Sequence, residues 1–216
     1  MNSVRTLSAV VAFACLAVVA LLFLDLRVPA AGAKLIASSA FIGVAIVSGA
    51  WQSTFGRFVL VGLLFSWCGD MFLIGTSDTT FLSGLIAFLL AHVAYIAAFI
   101  RLGYNRTWAI ISAVPVAIVA VAVFSWLQPH IPAELDTPVK TYIAVISLMV
   151  VYAFGTRGAG ATKLILAGAL LFYVSDLSVA ALRLVQTDWP TYILGLPFYY
   201  GGQVCLALSV SHSRSH

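Results

Sequence analysis

The chain is a nearly unbroken series of apolar runs, each long enough to cross a bilayer as a helix. A helix rises about 1.5 Å per residue, so roughly 20 residues span the hydrocarbon core. Eight segments meet that length: 4–24, 33–51, 58–75, 81–100, 107–127, 139–155, 162–182 and 191–210. They are too continuous to alternate as barrel strands do. Only 8% of residues are charged and 62% are hydrophobic, whereas water-exposed domains carry about 25% charged residues. Lipid is therefore the expected solvent. The reading is an all-α polytopic membrane protein of eight transmembrane helices, residues 1–216 forming one domain.

Turn chemistry separates the runs at Arg27-Val28-Pro29, Gln52-Ser53, Gly75 to Asp78, Gly103 to Asn105, Pro129 to Pro138, Gly155 to Gly160 and Asp188 to Pro190. The segment 4–24 is long enough to span and is read as a first helix, not a cleaved leader. Cys15, Cys68 and Cys205 lie inside apolar runs with no metal or disulfide spacing. A formal charge of +4 on singly scattered basic residues gives no nucleic-acid signal.

Charge sets the orientation. One side of the alternating pattern holds Arg5, Arg57, Arg101, Arg106, Arg157, Lys163 and Arg214. The other holds Arg27, Lys34, Lys140 and Arg183 among Asp25, Asp78, Glu134, Asp136 and Asp188. The basic excess predicts that both termini are cytoplasmic and that the acidic 129–138 loop is external.

Two carboxylates break the apolar pattern. Asp70 lies in LLFSWCGDMFLI and Asp176 in LLFYVSDLSVAAL. A carboxylate at membrane depth is unfavourable by a few kcal/mol, about 3 on insertion scales, and marks a site by default. The competing reading is a structural ion pair or interhelical hydrogen bond. A shift of 106 residues superposes Lys34 on Lys140, Arg57 on Lys163, Gly62 on Gly168 and Asp70 on Asp176. With five more residues, Gly84 falls on Gly195, Phe88 on Tyr199 and His92 on Gln203. That pattern predicts a parallel four-plus-four repeat, halves about 1–106 and 107–216, with Asp70 and Asp176 meeting at its centre.

Helical spacing adds a buried seam: Gly62, Ser66 and Asp70; Gly168, Phe172 and Asp176; Gly84, Phe88, His92 and Tyr95; Gly195, Tyr199 and Gln203. His92 reads equally well as a core histidine bonded to a carbonyl. Lys34 and Lys140, at external helix starts, read either as snorkelling cations or as partners for phosphate or for an aspartate. Tyr95, Tyr142, Tyr199 and Tyr200 could be belt aromatics; the seam favours Tyr199 with Gln203. No nucleophile elbow, HExxH pattern or phosphate-binding glycine loop occurs, and nothing in the spacing asks for a metal or cofactor.

The residues Gly69-Asp70 with Leu73, Ser175-Asp176 with Ala180, His92 with Tyr95, and Gly202-Gln203 together resemble the YhhN-type lysoplasmalogenase family. Where that family carries a proline after the helix-two lysine, this chain has Leu35. The resemblance implies an eight-helix ether hydrolase of the bacterial inner membrane. It would cleave the vinyl ether of a lysoplasmalogen to a fatty aldehyde and a glycerophospho-alcohol, without a cofactor or protein partner. One carboxyl would deliver a proton to carbon and the other would face the oxocarbenium ion, as in glycosidases. The expectation is that Asp70 is the acid and Asp176, beside Ser175, the stabilising partner. His92, Tyr95, Tyr142, Tyr199 and Gln203 would position substrate or water, and Lys34 and Lys140 the lipid phosphate. A small proton-coupled transporter, or another lipid hydrolase or lipid-binding protein on the same scaffold, is the alternative.

Overall fold

The computed structural model describes residues 2–212; Arg214, counted above, lies outside the described residues. Eight helices follow one another: α1 (Asn2–Phe23), α2 (Arg27–Val47), α3 (Thr54–Phe72), α4 (Asp78–Leu102), α5 (Arg106–Leu127), α6 (Asp136–Gly158), α7 (Lys163–Ala180) and α8 (Tyr192–His212). Each is long and apolar enough to cross a membrane, and there are no strands among the described residues.

Local chemistry places most helix ends. Ser53 accepts the Gly56 N–H at the start of α3, Ser77 accepts the Thr80 N–H at α4, and Asn105 accepts the Trp108 N–H at α5. Each satisfies an amide that has no partner within the first helical turn. Gly49, Gly103 and Gly160 adopt positive φ in the turns after α2, α4 and α6, a conformation glycine adopts without a Cβ penalty. Two expected breaks are instead first turns. Pro29 and Pro138 sit in the third positions of α2 and α6, where the missing N–H would be unpaired anyway. Those helices start earlier than their apolar runs for this reason.

Successive helices pair as hairpins, α1 on α2, α3 on α4, α5 on α6 and α7 on α8. Across the bundle, α4 packs on α6, and α2 and α3 pack on α8. Small residues allow the closest crossings. A Cβ added to Gly168 would lie 2.8 Å from Leu206 Cγ and 2.9 Å from the Gly202 carbonyl, and one at Gly69 would lie 2.7 Å from the Phe88 ring. The predicted seam residues Ser66, Phe88, His92, Tyr95, Phe172, Tyr199 and Gln203 are all buried in these crossings. By contrast α5 turns Ile110, Ile111, Val114, Ile118 and Val121 outward. Such an apolar face suits lipid rather than water.

Candidate active site

Chain alternation brings the ends of α1, α3, α5 and α7 and the starts of α2, α4, α6 and α8 to one end of the bundle. A cavity of about 580 Å³ opens there, within the size range of small-ligand pockets, about 300–1,000 Å³. Asp70, Asp176, Lys34, Tyr142, Ser175 and Tyr199 all line it, with an otherwise largely apolar wall.

Asp70 lies near the end of α3 and is only 2% exposed. Its Oδ2 accepts hydrogen bonds from Ser38 Oγ at 2.6 Å and Tyr199 OH at 2.7 Å. Lys34 Nζ stands 3.2 Å from Oδ1. Lys34 and Ser38 are one turn apart on α2, and Tyr199 comes from α8. Two hydroxyl donors and a cation surround this carboxylate, the full set a buried anion needs. Tyr200 OH lies 3.4 Å from Ser38 Oγ and extends the buried network.

Asp176, on α7, has a sparser and more open setting; its side chain is 18% exposed. Tyr142 OH of α6 donates to Oδ2 at 2.7 Å. His92 Nε2 of α4 stands 3.7 Å from the same oxygen, beyond direct hydrogen-bond distance. His92 Nδ1 faces the Phe88 carbonyl. A carbonyl only accepts, so the ring proton belongs on Nδ1 and Nε2 is left as an acceptor. His92 thus meets a backbone carbonyl through one nitrogen and faces Asp176 through the other.

An aromatic cluster joins the two carboxylates. Phe172 packs 4.6 Å from the His92 ring and 5.3 Å from the Tyr199 ring. Phe88 stacks edge-on against both Phe172 and Tyr199. These contacts fix Tyr199, which carries the Asp70 hydrogen bond, and His92, which faces Asp176. Edge-to-face pairs contribute about 0.5–1.5 kcal/mol each beyond their burial.

Three expected site residues lie elsewhere. Tyr95 OH donates to Gln203 Oε1 at 2.8 Å. Both side chains are fully buried; they join α4 to α8 and do not line the cavity. Lys140 points away from the cavity. It pairs with Asp136 at 2.7 Å and lies over the Phe124 ring. Lys34 faces Asp70 and not open headgroup space. Ser38 was missed, although it sits four residues after Lys34 and so shares its helix face.

An all-helical integral membrane protein with a two-carboxylate cavity at one end of its bundle is the class these features define. A family model described as the YhhN family matches residues 12–210, and the chain belongs to that family. It is 32% identical to lysoplasmalogenase TMEM86A of Bos taurus over 167 residues, 72% of this chain and 66% of that one. Against lysoplasmalogenase TMEM86A of Homo sapiens it is 32% identical over 162 residues, with the same two coverages. The chain thus spans just under two thirds of the length of these relatives. No solved structure matches it.

Proposed function

We propose that the protein is a lysoplasmalogenase-like hydrolase that cleaves the vinyl ether of a lysophospholipid. The observation that carries this reading is the pair of carboxylates lining one largely apolar cavity with unequal partners. Asp70 has a lysine and two hydroxyl donors; Asp176 has one hydroxyl donor and an acceptor nitrogen nearby. These donor sets favour Asp70 as the ionised group and Asp176 as the proton carrier. That is the reverse of the assignment expected from the sequence, because the long-range partners of Asp70 were not visible there.

In this mechanism the Asp176 carboxyl gives its proton to the vinyl carbon remote from oxygen. The double-bond electrons form the new C–H bond, and the positive charge passes to the adjacent carbon and its ether oxygen. The Asp70 carboxylate and the faces of Phe88 and Tyr199, which line the cavity, stabilise that cation. Water adds to the charged carbon and returns a proton to Asp176. The resulting hemiacetal transfers its hydroxyl proton to the glycerol oxygen, the C–O bond breaks, and aldehyde and alcohol leave. Tyr142 holds Asp176 and Tyr199 holds Asp70; His92 Nε2, an acceptor, favours keeping the proton at Asp176.

The helix contacts support a duplicated bundle as the origin of the pair. Each aspartate meets a group from the second helix of its own half, Ser38 with Lys34 or Tyr142, and one from the last helix of the other half, Tyr199 or His92. The basic excess at the opposite end supports both termini in the cytoplasm and a cavity open to the outer leaflet. The test is release of fatty aldehyde from a lysoplasmalogen by the purified protein with nothing else added. Turnover, with none for the saturated-ether analogue, supports the hydrolase; accumulation of unchanged lipid in proteoliposomes would replace it with a carrier.

A further inference from the structure

With Lys140 turned away and Lys34 occupied by Asp70, the cavity needs another cation if its ligand carries a phosphate. Arg27 also lines it, but is largely exposed and paired with its near neighbour Asp25; Arg183 meets that need. It lines the cavity on a π-helical turn, Ala181–Val185, that continues α7. Such turns are rare and concentrate at functional sites. Its side chain is 38% exposed, with its guanidinium over the Phe81 ring at 5.2 Å. Among the described residues its hydrogen bond is from Nη2 to Asp78 Oδ1 at 2.5 Å. A guanidinium has five N–H donors, so the remaining fork is available.

Spacing gives the pairing its chemical sense. Arg183 follows Asp176 by seven residues on the same helix, a rise of about 10 Å. In a lysoplasmalogen about seven bonds separate the protonated vinyl carbon from phosphorus, about 8 Å when extended. We propose that Arg183 binds the phosphate of a single-chain glycerophospholipid at the cavity mouth and so sets the vinyl ether at Asp176. This rests on the lysophospholipid reading above, and it assigns the headgroup subsite to Arg183, not to Lys34 or Lys140. Asp78 is its resting partner: the ligand phosphate takes over the guanidinium when it enters.

Binding without turnover separates this from the hydrolase reading. The full chain in detergent is titrated with a saturated-ether lysophosphoethanolamine, and with the corresponding alkylglycerol, which has no phosphate; isothermal titration calorimetry reports binding. Arg183→Gln should weaken the phospholipid by roughly 10–100-fold, the range for a lost charge-assisted hydrogen bond, and leave the alkylglycerol unchanged. Arg183→Lys should recover part of the loss. Asp78→Asn should leave phospholipid binding intact or tighter, and Lys140→Gln should not matter. Equal losses with both ligands, no loss with either, or an Asp78→Asn defect matching Arg183→Gln would overturn the assignment and make the pair a structural tie. Aldehyde release by the unaltered protein is scored separately and decides the hydrolase reading alone.

Discussion

Lys34 and Lys140, superposed by the 106-residue shift, end with different partners. Lys140 has Asp136 four residues before it, one helical turn away, and takes that local ion pair. Lys34 has Ala30 at that position and reaches Asp70 instead. The local contrast was legible in the sequence; the longer reach to Asp70 was not, because it depends on how α2 sits against α3. If Lys34 compensates a buried carboxylate, Lys34→Met should destabilise the protein by about 3–5 kcal/mol. Adding Asp70→Asn should restore most of that stability, read by thermal unfolding in detergent, while leaving aldehyde release lost. Proton delivery to carbon makes a second residue-scale prediction. Turnover in D2O should give an aldehyde with one deuterium beside the carbonyl, on a single face, seen by NMR of the trapped product. Random labelling of both faces would mean the proton does not come from a fixed carboxyl.

At the scale of helices, the sequence showed existence and order better than ends. All eight runs became helices, yet α2 and α6 each begin several residues early, because proline is tolerated in a first turn. The seam was legible through its spacing: glycine, polar and aromatic residues at helical intervals were the ones buried. What spacing could not show is which seam residue faces the cavity and which a neighbour. Tyr95 and Gln203 share a stripe with His92 and Tyr199 but bond to each other. The close crossings give a stability prediction. Gly168→Leu places a side chain against Leu206 and the Gly202 carbonyl, and should lower stability by about 1–3 kcal/mol or more. Gly32→Leu, with nothing within 4 Å of its Cβ position, should leave the unfolding temperature nearly unchanged. Equal effects would show that α7 and α8 do not cross as closely as described.

Over the whole molecule, every carboxylate falls toward the cavity end, from Asp25 to Asp188, while the opposite end carries most of the lysines and arginines. That asymmetry supports a cytoplasmic position for the basic end. In a cysteine-free background, a cysteine at Ser77 should react with a membrane-impermeant thiol reagent in intact cells, and one at Thr162 only after lysis. The converse pattern would turn the cavity to the inner leaflet. Whatever the orientation, the proposed chemistry rests on two aspartates acting on one bond. The decisive measurement is aldehyde release from lysoplasmalogen by Asp70→Asn and Asp176→Asn proteins that unfold at close to the parent temperature. The expected result is a loss of about 100-fold or more for each; a folded variant of either kind within a few-fold of the parent rate would contradict the two-carboxylate mechanism.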